Sequence, residues 1–185
     1  MTSRGISIKK QVVDGAQEPV TLEEFKSHVQ VSYESQDQLL ETLLVSARQQ
    51  IEKFLCVSLV ETLITIRWEQ LTRQPLPYGP VNEIISVADK SDTTIDLGGY
   101  TLEGQIGDFM KIKADRSEPT VITYRAGYGV DATDVPEDLR LAIMKKATDD
   151  FEFRTGTPLS GAVETSLPNN WRSTCQPYRR ISWIA

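Results

Sequence analysis

The sequence "TYRAGYG" at residues 123–129 is followed by "DVPEDLRLAIMKKATDDFEFR" at residues 134–154, and the pattern of apolar residues changes between them. Before the change, apolar side chains alternate, as they do in a strand with one buried face. After it, they recur every three to four residues, which predicts an amphipathic helix that ends by Gly156. Asp134 or Val135 is its expected cap, and Pro136 fits its first turn. The residues of the predicted buried stripe are Leu139, Ala142, Ile143, Ala147 and Phe151.

Two glycines, Gly127 and Gly129, lie between the predicted strand and the predicted helix. A dinucleotide-binding fingerprint needs a third glycine and opens directly into the helix, and a phosphate loop also needs a Lys followed by Ser or Thr. The sequence has neither. We therefore interpret the glycines as a turn between the sheet and the third helix, where glycine permits a positive φ.

Two further helices are predicted near the start of the chain. Thr21 with Glu24 forms a capping-box pattern before a short helix at about residues 22–30. A second, longer helix is predicted from about Ser35 or Gln36 to residue 55 by a wide apolar stripe. The stripe consists of Leu39, Leu40, Leu43, Leu44, Ala47, Ile51, Phe54 and Leu55.

Residues 57–130 carry strand patterns. "VETLITIRW" alternates between apolar and other residues, and "LTRQPLPYGPVN" contains three prolines and is predicted to be an extended connection. Four more short segments, "EIISVADK", "YTLEG", "FMKIKAD" and "TVITYRAG", are separated by turn residues. About five short strands at this spacing predict a small antiparallel sheet or barrel.

The order of elements predicts an α+β fold, in which a three-helix core holds an inserted antiparallel β-sheet or barrel between helices 2 and 3. Neither helical segment can bury its apolar stripe alone, so the two are expected to pack together. The predicted divisions of the chain are an N-terminal arm (1–20), a first helical core segment (21–56), the β subdomain (57–130), a second helical core segment (131–156) and an extended C-terminal tail (157–185).

Charge and composition argue against several functions. The net charge of −6 disfavours a dedicated nucleic-acid binder. The sequence predicts neither a signal peptide nor a membrane span, and Cys56 and Cys175 are expected to be reduced thiols in a cytosolic product. His28 is the only histidine and accompanies no nucleophile motif, and the adjacent Asp149, Asp150 and Glu152 fan to different helix faces. We predict no catalytic, cofactor-binding or metal site, and no cofactor.

The C-terminal tail has an unusual composition. Its aromatic and arginine residues are of the types that dominate protein–protein hot spots, and its three arginines accompany only one acid, Glu164. We predict an intermolecular docking element from about residue 157 onward, with packing of the tail on its own domain as the alternative. The predicted docking residues are Trp171, Tyr178, Arg179, Arg180 and Trp183.

Several motifs taken together resemble the head–tail connector (adaptor, or head-completion) proteins of tailed bacteriophages and prophages. They are "EPVTLEEFKSHVQV", "DQLLETLLVSARQQIEKFL", "VITYRAGYG" followed by "DVPEDLRLAIMKKATDDFEFR", and "LPNNW" with the final "PYRR". They occur in the same order over nearly the whole chain. The sheet region resembles the family in layout more than in letters.

The resemblance implies a structural virion protein and not an enzyme. Such a protein forms a ring, typically of twelve copies, under the portal, where it extends the DNA channel and joins the capsid to a downstream neck or tail-completion protein. DNA passes through without sequence-specific binding, no membrane is involved, and the protein is made in the host bacterial cytoplasm before it enters the virion neck. Two alternatives remain at this stage: a soluble enzyme or regulatory α+β module of unknown substrate, and a terminase-like nucleic-acid-binding accessory, which the acidic body disfavours.

Overall fold

Strands and helices follow one another along the chain as the α+β prediction requires. The computed structural model describes residues 6–89, 101–104, 110–116, 119–153 and 170–180. The strands are β1 (Ser7–Val12), β2 (Thr62–Trp68), β3 (Leu71–Pro75), β4 (Val81–Asp89), β5 (Thr101–Glu103), β6 (Lys111–Arg116) and β7 (Thr120–Ala126). The helices are α1 (Leu22–Val29), α2 (Asp37–Leu55), α3 (Glu137–Glu152) and α4 (Asn170–Cys175).

The described residues form two units. The described residues of the β unit are 6–17, 56–89, 101–104, 110–116 and 119–130, and those of the helical unit are 18–55, 131–153 and 170–180. Each unit is therefore built from segments that are far apart in the sequence. The sheet region is inserted between α2 and α3, as predicted.

The β unit holds two antiparallel sheets instead of the single sheet or barrel expected from the sequence. The larger sheet has the strand order β1-β2-β7-β4, and the smaller one has the order β3-β6-β5. Strands β2 and β7 form the centre of the larger sheet and bury alternate side chains, as their sequences predict. Side chains of both sheets, such as Ile64, Ile122 and Ile112, share one apolar core.

Two strands differ from the sequence-based expectation. Residues 7–12, which the sequence places in an N-terminal arm, form β1 and pair with β2. Residues 71–75, which the sequence places in an extended connection, form β3 and pair with β6. Strand β1 is exposed at nearly every position, and β3 ends at Pro75, so neither has the alternating pattern of a buried strand.

The helical unit confirms the predicted pairing of the two helical segments, because α2 and α3 pack together. Its core includes Phe25, Ile51, Leu139 and Ile143, which are almost completely buried. The capping box at the start of α1 is also present. The Glu24 N–H donates to Thr21 Oγ1 (3.2 Å), and the Thr21 N–H donates to Glu24 Oε2 (2.9 Å).

Two arginines attach the beginning of this unit to its longer helices. Buried Arg48 of α2 donates from Nε and Nη2 to the two carboxylate oxygens of Glu18, at 2.7 and 3.0 Å. Arg140 of α3 donates to the Pro19 carbonyl (2.8 Å) and forms an ion pair with Glu24. Bidentate arginine pairs impose a defined geometry, so they hold residues 18–24 in place.

No helix within the described residues is long and apolar enough to cross a membrane. The same portion of the chain contains no group of three or more His, Cys, Asp or Glu side chains suited to holding a metal ion.

Candidate docking surface

Helix α4, the 3-10 turn after it (Gln176–Tyr178) and the next two residues contain the predicted docking residues that the structure describes. The helix packs on α3 within the helical unit. Trp171 lies edge-on to Phe54 near the end of α2, with ring centroids 5.4 Å apart and an interplanar angle of 76°. This is a favourable edge-to-face arrangement. The described portion of the tail is thus helical and packed, where the sequence predicted an extended segment.

Phe54 also lies beneath two arginines. The guanidinium carbon of Arg179 is 4.9 Å from the centre of the Phe54 ring, and that of Arg172 is 5.5 Å from it. The Arg172 guanidinium also lies 5.2 Å from the Trp171 ring. Both arginines are exposed, whereas Phe54 is half-buried. We call Phe54, Trp171, Arg172 and Arg179 the aromatic–arginine cluster.

Stacking on an aromatic ring limits the positions that each guanidinium can occupy while its N–H groups remain available in the guanidinium plane. Less side-chain entropy is then lost when a carboxylate binds. The cluster is accordingly suited to binding an acidic protein surface.

Hydrogen bonds hold the segment in the helical unit. The Arg180 N–H donates to the Leu55 carbonyl (2.9 Å), and Lys145 Nζ donates to Thr174 Oγ1 (3.0 Å). The pKa of Tyr178 is raised, first by partial burial and then by the negative charge of Asp138, which also accepts a hydrogen bond from it. These contacts connect α4 and its turn to both α2 and α3.

The structure brings together four of the five predicted docking residues, and Trp183 lies outside the described residues. Trp171 differs from the prediction because its side chain is only 6% exposed. Its indole therefore anchors the segment in its own unit and is not presented to a partner. Sequence reasoning missed Phe54 and Arg172 as members of the cluster. The helical periodicity places Phe54 in the buried stripe of α2, and only the fold shows that its ring is shared with the C-terminal segment.

The predicted glycine turn follows β7, and its two glycines differ. Gly127 has a φ of +138°, whereas Gly129 does not adopt a positive φ. The Gly129 carbonyl instead accepts a hydrogen bond from the Glu61 N–H (2.9 Å). The need for a positive φ therefore accounts for the glycine at position 127 but not for the one at position 129. Tyr124, on β7 shortly before this turn, is buried in the β unit, and its hydroxyl donates to the Pro77 carbonyl.

The residues considered for chemistry are placed as follows. His28 is exposed on α1. Asp150 forms an ion pair with Lys146 one turn earlier on α3. The pKa of Asp149 is raised, first by partial burial, with smaller contributions from its acidic neighbours. These side chains form no recognisable catalytic arrangement among the described residues.

Comparison with known proteins identifies the family. The family model described as Phage gp6-like head-tail connector protein matches residues 19–179, which is most of the chain. The chain therefore belongs to this family, and it is a structural virion protein that connects head and tail. The match confirms the resemblance seen in the sequence. No curated protein matches the chain.

Solved structures with the same fold come from gene transfer agent (GTA) particles. A chain in the neck of an empty GTA particle, computed with C6 symmetry, has a TM-score of 0.70 and 18% identity, with 94% of this chain and 96% of that chain covered. A chain in the virion of a native GTA particle has a TM-score of 0.69 and 19% identity, with coverages of 95% and 96%. A chain in the neck of a native GTA particle, computed with C12 symmetry, has a TM-score of 0.68 and 18% identity, with coverages of 94% and 96%. At these identities the likeness is one of fold.

Proposed function

We propose that this protein assembles into a ring of twelve copies beneath the portal, where it extends the DNA channel and receives the next neck or tail-completion protein. The observation that carries the proposal is the family match over residues 19–179. The copy number is supported by the fold shared with a neck chain in a particle computed with C12 symmetry. In this function the protein acts by assembly and not by catalysis.

The net charge of the chain is compatible with a DNA channel. A strongly basic lining would bind phosphates and hinder passage of the genome, whereas an acidic protein of net charge −6 makes few such contacts. We therefore propose that DNA passes through the ring without sequence-specific binding.

The segment from residue 157 onward is the proposed portal-docking element. Its exposed residues include Arg172 and Arg179, which are held on Phe54, and beside them lies the half-buried Tyr178. Such a surface fits an acidic patch on the portal, because arginines on a rigid aromatic support bind carboxylates at a low entropy cost. Trp171 positions the segment from within.

The ring is tested by native mass spectrometry and negative-stain imaging of the full chain mixed with portal-bearing, tail-less heads. We expect ring-shaped density with about twelve subunits at the portal vertex. Single subunits bound to the heads at scattered positions would contradict the ring. A tightly bound stoichiometric metal or nucleotide, or turnover of a substrate by the purified chain, would contradict a purely structural role.

Docking is tested by co-sedimentation of charge-reversal variants with the same heads. Arg172→Glu combined with Arg179→Glu should weaken attachment, and the residual binding should depend less on salt. Lys111→Glu with Lys113→Glu is the matched control, because it makes the same change in net charge at exposed positions of β6 in the β unit. Equal attachment of both double variants would refute the role of the cluster.

A further inference from the structure

The larger sheet of the β unit has two outer strands, β1 and β4. Within the described residues, no strand pairs with the outer edge of either one. An outer strand presents a row of backbone N–H and C=O groups that can pair with another chain. The sheet can therefore accept a strand on each side.

The strand directions make these two edges complementary. Each neighbouring pair in the order β1-β2-β7-β4 is antiparallel, so β1 and β4 run in opposite directions. When two copies stand side by side in the same orientation, β4 of one copy meets β1 of the next in an antiparallel arrangement. An interface between two different edges is head-to-tail, and a head-to-tail interface that closes produces a ring.

The charges on the two edges are opposite. Strand β1 carries exposed Lys9, whereas β4 carries exposed Glu83, which also forms an ion pair with Arg125 of β7 at 3.6 Å. Pairing of β1 with a second β1, or of β4 with a second β4, would bring like charges together, which is unfavourable across strands. The charges thus disfavour a two-fold dimer and favour head-to-tail pairing.

The strand registers place the charged residues on a common face. Lys9 pairs with Thr65, Thr65 pairs with Thr123, and Thr123 pairs with Ser86. Glu83 lies opposite Arg125, two residues further along β7 on the same face. In an unstaggered continuation of the sheet, Lys9 of one copy is therefore directly opposite Ser86 of the next and diagonal to Glu83, which is within reach of a long side chain.

Each outer strand also exposes an apolar side chain. Val12 on β1 is 44% exposed and Ile85 on β4 is 47% exposed, so each outer strand carries one large apolar group in contact with water. The irregularities of β4 lie between Val81 and Glu83 and between Ile84 and Ser86. The regular stretch from Ser86 to Ala88 can supply a backbone ladder for a new strand.

We propose that neighbouring copies of this protein join by adding β1 of one copy to the outer edge of β4 of the next, which makes a continuous antiparallel sheet around the connector. This inference rests on the ring of the proposed function and names the surface that closes it. The partner at both edges is a second copy of this chain.

Charge exchange tests the pairing without dependence on exact register. Lys9→Glu alone and Glu83→Lys alone should each raise the subunit concentration needed for ring formation by roughly five- to tenfold, because an attraction is replaced by a repulsion. Lys9→Glu combined with Glu83→Lys should restore assembly, because the opposite charges are re-created across the interface. Lys111→Glu is the control and should have no effect. Single variants that assemble like the wild type, or a double variant worse than both singles, would overturn the proposal.

Covalent trapping tests the geometry. Lys9→Cys combined with Ser86→Cys should form disulfides between copies on the portal-bearing heads, since directly opposite cross-strand residues lie within disulfide range. A non-reducing gel should show a ladder of multimers, and the two single-cysteine variants should not give it. Dimers alone would indicate a two-fold contact and overturn the proposal. Imaging of the same sample distinguishes failure of the strand pairing from failure of the ring. A ring without a ladder would refute only the strand pairing. Scattered subunits without a ring would refute both the proposed function and this inference.

Discussion

Replacement of Gly127 by alanine should be among the most damaging single-methyl changes in the β unit. Gly127 has a φ of +138°, a conformation that is essentially restricted to glycine. A Cβ at this position would lie 2.5 Å from the carbonyl oxygen of Val60, 2.7 Å from the carbonyl carbon of Val60 and 2.8 Å from Glu61 Cα. All three are backbone atoms next to β2, so no side-chain rotation can relieve the contact.

Two costs contribute to the expected effect. The backbone conformation costs a residue with a Cβ about 1–3 kcal/mol. Overpacking against a fixed neighbour costs about 1–3 kcal/mol more. Gly127→Ala should therefore lower the free energy of unfolding by about 2–6 kcal/mol. At a urea dependence of about 2 kcal/mol per molar, the unfolding midpoint should fall by about 1–3 M.

The assay is urea unfolding of the free subunit followed by tryptophan fluorescence, since buried Trp68 belongs to the same unit. Gly15→Ala is the matched control. Gly15 also has a positive φ, +86°, but a Cβ there would have no neighbour within 4 Å, so this variant should lose only about 1–2 kcal/mol through its backbone. If Gly127→Ala unfolded at the same urea concentration as Gly15→Ala, the close approach to Val60 would be wrong.

Three further changes test the helical unit by chemical unfolding. Ile51→Ala should lower the free energy of unfolding by about 2–5 kcal/mol because Ile51 is fully buried. Leu39→Ala, at an exposed position of the same helix, should lower it by less than about 1 kcal/mol. Equal losses would contradict the placement of α2. Arg48→Met should lower the free energy of unfolding by about 3–5 kcal/mol because it removes the ion-pair partner of Glu18 and Glu52 from a buried site. Arg48→Lys should retain only some of the lost stability, because lysine cannot form the bidentate pair. Full stability in Arg48→Lys would show that the bidentate geometry is unimportant. The pKa of Glu24 is lowered, mainly by the hydrogen bond from the Thr21 N–H. The ionised Glu24 carboxylate therefore stabilises the fold at neutral pH, and this stabilisation is lost as the pH falls through the lowered folded-state pKa. Glu24→Gln should flatten that acidic portion of the stability curve, and an unchanged curve would exclude the capping carboxylate as its source.

Local patterns in the sequence were sufficient for the elements that lie at the centre of each unit. The stripe of α2, the capping box at Thr21 and the alternation in β2 each depend on residues only a few positions apart. Such patterns arise because a helix or strand turns one set of side chains inward at a constant spacing. These elements were predicted, and the ends of the two N-terminal helices differ from the prediction by only one or two residues.

Strands β1 and β3 could not be predicted from local sequence patterns. Strand β1 has no buried face to produce an alternating pattern, and β3 is stabilised by pairing with β6, whose residues are about forty positions away in the sequence. A strand of this kind is determined by its partner more than by its own residue preferences. The two sheets therefore became visible only when their pairings were known.

The docking region shows the same division. Aromatic and arginine residues in the tail indicated a contact surface, but residue type does not distinguish a side chain that packs on its own unit from one that meets a partner. The position of Phe54 shows which tail side chains are packed and which are exposed. Its ring packs against Trp171 and supports Arg172 and Arg179 at the surface.

Residue spacings and motifs along the chain were enough to predict the α+β class, the three longer helices, the central strands and the family. The folded structure was needed for the strand order, for α4, for which of the two glycines must be glycine, and for which tail residues face outward. These properties depend on atoms brought together from distant regions of the chain. The 2.5 Å that would separate an alanine Cβ at position 127 from the Val60 carbonyl oxygen joins residues 67 positions apart in the sequence, and no local pattern contains it.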